Sequence, residues 1–222
     1  VMTMINDVTS PVTPIIVENA LSSIKAIGVN DQEKKAIQNE FSSNCPYFLY
    51  LGSIHPRKNV ARLIQAFDQF KAKTDNTFKL LLAGRMAWQI KEVVQAIEQA
   101  QYKSDIIHLD YVPDDKLHTI VGAAHALTYV SLFEGFGIPI LEAMNCDVPS
   151  ITSKVTSMPE VAGKAGILVD PYNINEITNA MKKMATNTNF RNSLIAKGRI
   201  QRQKYTWDLT AERVWKMILE MT

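Results

Sequence analysis

From Pro46 onward the chain alternates two kinds of apolar pattern, and no other feature constrains its fold as strongly. Short, nearly continuous apolar runs come first, as in Tyr47-Phe48-Leu49-Tyr50-Leu51. Longer stretches follow with apolar residues three and four apart, as at Val60, Leu63, Ile64, Phe67 and Phe70. An unbroken apolar run is buried on both faces, which marks a strand of a parallel sheet. The wider spacing marks the helices that cover it. Strands are expected at 47–51, 78–83, 106–109, 127–130, 149–152 and 167–169. Helices are expected at 58–73, 88–101, 114–123, 138–144, 158–162, 173–185, 189–204 and 207–220. This is an α/β fold: a doubly wound, mainly parallel sheet of about six strands with helices on both faces. Ligands of such sheets bind beyond the carboxyl ends of the strands, so the segments just after each strand are the ones to inspect.

Residues 1–44 have a different texture. Ser10-Pro11-Val12-Thr13-Pro14 reads as extended, since proline disfavours helix in the residue before it. Ile15–Val17 is a short apolar run, and Asn30 with Glu33 forms a capping-box pattern ahead of Ile37 and Phe41 on one helical face. The segment 1–44 is read as an arm and a short helix, and 45–222 as the main domain.

The overall balance excludes several classes. A formal charge of +2 over 222 residues is not the footprint of a nucleic-acid binder. Two distant cysteines, Cys45 and Cys146, give neither a disulfide framework nor a zinc spacing. No metal site is expected, because Asp114-Asp115 reads as a helix start, with Asp114 as its cap. Residues 1–20 lack the pattern of a signal peptide, and a cytoplasmic location is the expectation.

Two segments carry chemistry. The first runs from Ser131 to Met144, with Glu134, Gly135, Phe136, Gly137, Ile138, Pro139 and Glu142. The glycines let backbone approach a ligand, and Pro139 suits the first helical position. Free amides at a helix start past a strand end suit a diphosphate. Glu134 and Glu142 suit the hydroxyls of a bound sugar or ribose. Against this stands the plain reading of a turn whose Glu142 complements the helix dipole. The second segment is Gly52-Ser53-Ile54-His55-Pro56-Arg57-Lys58-Asn59, in which Gly52 ends a strand and Lys58 opens a helix. Adjacent cations there suit the charge that grows on a departing diphosphate, although an Arg-Lys pair is also common on solvated surface. His55 reads as a surface residue. The later glycines of a nicotinamide fingerprint are absent after Gly52 and Gly84, and no Walker A loop is present.

Together these segments resemble the C-terminal Rossmann-like domain of the family 4 retaining glycosyltransferases. The matching text is YFLYLGSIHPRKNVARLIQAF, LLLAG, YVPDDKLHTIVGAAHALTYVSLFEGFGIPILEAM and PSITSKVTSMPEVAGKAGILVDP, across about residues 46–220. The resemblance implies that Arg57 and Lys58 contact the donor's phosphates and that Glu134 faces the donor sugar. It places the amides of Phe136, Gly137 and Ile138 near sugar and diphosphate, with Gly135 in the same loop, and Glu142 on the ribose. Tyr111-Val112-Pro113 would contact the base, and Gly52 would admit the diphosphate. Ser53 stands where many relatives carry an arginine. The form PRKN resembles a branch of mannosyl- and related transferases in polysaccharide assembly.

The resemblance further implies a metal-independent transfer of a hexosyl unit from a nucleoside diphosphate sugar to a glycan or lipid-linked acceptor, with no other cofactor. Such enzymes have two Rossmann-like domains, so an N-terminal acceptor domain would be the partner and this chain alone would be inactive. Ile15–Val17 and Asn19 would fall in the interdomain linker, and helix 207–220 would pack back towards the partner. Self-association of the isolated chain and peripheral membrane association of the whole enzyme are further expectations. A non-catalytic nucleotide-sugar-binding module, a nucleotide-sugar epimerase and an interaction module that has lost its ligand are the alternatives.

Overall fold

The computed structural model describes residues 28–74 and 76–220. The readings of Ser10–Pro14, Ile15–Val17 and Asn19 lie outside the described residues. A six-stranded sheet forms from β1 (Tyr47–Leu51), β2 (Lys79–Ala83), β3 (Ile106–Leu109), β4 (Ala126–Tyr129), β5 (Ser150–Ser153) and β6 (Gly166–Val169). Its order is β3-β2-β1-β4-β5-β6, and every pairing is parallel. The doubly wound sheet expected from the apolar runs is thus present, with strand limits within one residue of those expected.

The helices are α1 (Asp31–Ser42), α2 (Val60–Lys73), α3 (Lys91–Gln99), α4 (Asp114–Ala123), α5 (Ile138–Asn145), α6 (Met158–Ala162), α7 (Ile174–Thr186), α8 (Thr188–Gln201) and α9 (Trp207–Glu220). Helix α2 packs against α3 and α7, α1 against α4, and α5 against α6 and α8. The core is centred on β1, where Tyr47, Phe48, Leu49 and Tyr50 are wholly buried. Phe48 sits among Phe70 and Phe78 with ring centroids 5.5 and 5.1 Å away. Truncating such a residue costs about 3–5 kcal/mol.

The capping box of α1 is formed as expected: Glu33 N donates to Asn30 Oδ1, and Asn30 N donates to Glu33 Oε2, each at 2.9 Å. Ile37 joins the core, with Phe41 packed beside it.

Three local readings are corrected. Lys58 does not open a helix; it ends a 3-10 turn, Pro56–Lys58, and Asn59 at φ 60° separates that turn from α2. The 88–101 helix contracts to α3 because Gln89 is left-handed at φ 54° and Met86 bridges to Ile54. Pro113, not Asp114, occupies the cap position of α4. Among the described residues, no helix is long and apolar enough to cross a membrane.

Candidate functional site

The strand order reverses between β1 and β4, so the connections leaving these neighbours turn to opposite sides and open a crevice at their carboxyl ends. The two segments singled out by sequence are these connections. After β1 the chain turns through Gly52 (φ 131°) into the Pro56–Lys58 turn. After β4 it runs through Ser131–Gly137 into α5.

Glu134 joins the two sides. Its Oε1 lies 2.7 Å from Lys58 Nζ and its Oε2 3.0 Å from Arg57 Nη1. Arg57 Nη1 also donates to the Phe133 carbonyl at 2.9 Å. Lys58 Nζ donates to Tyr129 Oη at 2.5 Å and lies 4.8 Å from the centre of that ring. Lys58 and Glu134 are both buried, and Arg57 is exposed. Burial alone would raise the Glu134 carboxyl, but the Lys58 ammonium beside it holds it below the ordinary value. Burial lowers Lys58, and its bond to Glu134 opposes that shift. Two cations against one carboxylate leave one positive charge at the crevice.

The loop after β4 is braced from α6, where Ser157 Oγ sits 3.0 and 2.7 Å from the carbonyl oxygens of Glu134 and Phe136. Gly137 takes φ 109° and caps α5; Ile138 is then the first helical residue and Pro139 the second, one position later than expected. Among the described residues, nothing accepts a hydrogen bond from the amides of Phe136, Gly137 or Ile138. Such amides at a helix start form an anion cradle.

Two hollows meet here. One, of about 510 Å³, is lined by Lys58, Tyr129, Glu134 and the Gly135–Pro139 run. The other, of about 410 Å³, is lined by Arg85, Tyr111, Val112 and Leu117. Gly52 and Ser53 line both. The structure therefore gathers Gly52, Ser53, Lys58, Glu134, Gly135, Phe136, Gly137 and Ile138 around one space, with Tyr111 and Val112 around the adjoining one. Arg57 stands behind Glu134 rather than in either lining. Glu142 is buried in α5 and lines neither hollow.

Some participants escape sequence reasoning. Tyr129 reads only as part of a strand, yet its hydroxyl fixes Lys58. Asn59 is buried, and its Nδ2 donates to the carbonyls of Val130 and Pro171 at 3.0 and 2.7 Å, tying the turn to β4. Its signal is its residue type, since asparagine tolerates the left-handed region. His55, read as a surface residue, is buried and stacks on Trp88 at 4.9 Å. Among the described residues, no three His, Cys, Asp or Glu side chains gather as a metal-ion site.

The family described as glycosyl transferases group 1 matches residues 31–201. The O-antigen chain mannosyltransferase B of Escherichia coli is 37% identical over 162 residues, covering 73% of this chain and 42% of that protein. The serotype-specific mannosyltransferase WbdA of Escherichia coli is 30% identical over 208 residues, covering 90% of this chain and 26% of its own length. The chain thus spans less than half of either relative. Among solved structures, Anabaena HepE with UDP and glucose superposes with a TM-score of 0.78 at 18% identity, over 88% of this chain and 54% of that one. The sucrose-phosphate synthase of Thermosynechococcus elongatus gives 0.76 at 21% identity, over 91% and 51%. These two likenesses concern the fold, a Rossmann-like half of a two-domain architecture. With the family match spanning most of its length, the chain belongs to the glycosyl transferases group 1 family.

Proposed function

We propose that residues 45–222 form the nucleotide-sugar donor domain of a retaining hexosyltransferase, with 1–44 entering it from an interdomain segment. The observation that carries this reading is the meeting of Lys58, Arg57 and Glu134 beside the amides of Phe136–Ile138, which no acceptor among the described residues engages. The Lys58 ammonium and a helix start facing one hollow suit a diphosphate, and the adjoining hollow with Tyr111 and Val112 suits the nucleoside.

In the reaction, the bond between the sugar C1 and the diphosphate oxygen breaks, and its electrons go to the diphosphate. The charge that develops there meets Lys58 and the α5 amides, which are already oriented and need no reorganisation. An acceptor hydroxyl attacks C1 on the same face, and its proton passes to the departing phosphate. Arg57 holds Glu134 in place against the sugar.

The mannosyltransferase relatives and the PRKN turn favour a mannosyl donor and an O-antigen-type glycan acceptor. The acceptor site belongs to a second domain, without which this chain does not turn over. A complete enzyme joining this chain to that domain supplies the test. Lys58→Ala is expected to reduce transfer from the sugar nucleotide by about 100-fold or more; unchanged turnover would remove the assignment. The metal-free reading predicts the same rate with a chelator present.

A further inference from the structure

Lys58 lines the hollow that faces the start of α5, and its ammonium carries three N–H donors. Tyr129 Oη accepts one at 2.5 Å, and Glu134 Oε1, 2.7 Å away, takes a second. Among the described residues, no third group accepts from Lys58 Nζ. Tyr129 and Glu134 therefore fix the direction of the remaining N–H. The two partners differ in charge. Glu134 is a carboxylate that offsets a positive charge, whereas burial, and after it the Glu134 charge, raise the Tyr129 pKa and keep its phenol neutral. The phenol proton turns towards the Glu134 carboxylate, and the phenol oxygen is left to accept from Lys58. A neutral acceptor holds an ammonium without cancelling its charge; a second carboxylate in its place would do both.

Tyr129 is itself held in place. It ends β4 wholly buried, and its carbonyl accepts from Thr152 Oγ1 of β5 at 2.8 Å. Its ring lies 6.4 Å from that of Tyr50 on β1, with the planes 21° apart. The Tyr50 hydroxyl donates to the Ser53 carbonyl at 3.0 Å. A Cβ on Gly52 would stand 3.7 Å from Tyr50 Oη and 3.9 Å from Lys58 Nζ, so the Gly52 turn lies directly over both groups. Two neighbouring strands thus supply a rigid floor beneath the turn, in which one phenol secures the turn and the other secures the cation.

We propose that Tyr129 is a positioning residue for glycosyl transfer: its neutral hydroxyl holds the Lys58 ammonium so that a charged N–H is aimed at the departing diphosphate. This rests on the donor reading of the crevice, and Tyr129 acts through Lys58 rather than on the sugar. The charge on the departing oxygen grows as the bond to C1 breaks, so the aim of the ammonium matters more in the transition state than in the bound donor. Loss of the hydroxyl is therefore felt in kcat more than in the donor KM.

Two measurements test this, the first independent of turnover. NMR of this chain with labelled lysine Cε gives the Lys58 titration, assigned by its loss in Lys58→Arg. The charged and titratable groups around Lys58 are Glu134, Arg57 and His55, with the phenols of Tyr129 and Tyr50. Tyr129→Phe takes one acceptor from the charged form and keeps the others, so Lys58 should titrate at lower pH than in the wild type. Tyr50→Phe, whose hydroxyl is engaged with Ser53, should leave it in place. In the complete enzyme, Tyr129→Phe should lower kcat about tenfold and leave the donor KM within about twofold. An unmoved Lys58 titration in Tyr129→Phe, or an equal shift in Tyr50→Phe, would overturn the proposal. So would a raised KM at unchanged kcat. Wild-type kinetics in Tyr129→Phe beside a crippled Lys58→Ala would overturn it and leave the donor reading standing, whereas full activity in Lys58→Ala would remove both.

Discussion

Gly84 stands so close to Gly52 that a Cβ on it would lie 2.0 Å from the Gly52 carbonyl oxygen. The two glycines end adjacent strands, β2 and β1, and their connections are laced together. Gly52 N donates to Ala83 O at 2.9 Å, Ile54 N to Arg85 O at 2.8 Å, and Ala87 N to Ile54 O at 2.9 Å. Gly84 also holds φ 145°, which an L side chain rarely adopts. Gly84→Ala must therefore push the two connections apart. Chemical denaturation should show a loss of about 2–4 kcal/mol, and nucleotide affinity should fall as well, since Gly52 and Gly84 both line the hollow assigned to the nucleoside. A variant of wild-type stability would show that the connections are free to separate.

The Lys58–Glu134 pair gives a second prediction. Glu134→Ala strands the buried Lys58 ammonium with Tyr129 Oη as its remaining close partner, and should cost about 3 kcal/mol. Lys58→Ala should cost less, because Arg57 still pairs with Glu134. A double-mutant cycle should return a coupling of about 1 kcal/mol or more, and strict additivity would show that the two charges do not interact.

His125 contributes to acid stability. It is packed edge-on against Phe48 and Phe78, with its Nε2 3.0 Å from the Met184 carbonyl. Burial is the main cause that lowers its pKa from 6.5 to about 4, with Arg191 adding to it and the Met184 carbonyl opposing. Between those values the unfolded chain binds a proton that the folded chain refuses. The contribution is therefore fully present above pH 6.5 and is lost as the pH falls towards 4, amounting to about 3 kcal/mol. Denaturation between pH 4 and 7 should show this slope in the wild type, and His125→Phe should reduce it. Equal slopes would place the acid sensitivity elsewhere.

Helix α9 exposes Trp215 and Ile218, at 62% and 47%. Apolar side chains left open on one helix invite association. Light scattering of this chain should show mass rising with concentration, and Trp215→Glu should suppress the rise. A constant monomer mass up to high concentration would contradict this.

The sheet is legible in the sequence because its central strands β1, β2 and β4 are buried almost throughout, so Tyr47–Leu51 and its neighbours read as short, mostly apolar runs. Helix limits are less legible where tertiary contacts override period: α3 begins three residues late because Gln89 turns left-handed ahead of it. The two site segments could be picked out by residue type, but their meeting could not. Lys58 and Glu134 stand 76 positions apart in the chain, and the strand order brings them within 2.7 Å. Tyr129 and His55 were illegible for the same reason: each is defined by a neighbour from a distant loop or strand end.

The most direct measurement is calorimetric titration of this chain with UDP, GDP and ADP, with and without magnesium, in the wild type and in Lys58→Ala. Saturable binding of one nucleoside diphosphate is expected, insensitive to magnesium and weakened about tenfold or more by the substitution. Absence of binding by all three, or equal affinity in the two proteins, would contradict the assignment of the β1–β4 crevice as a donor site.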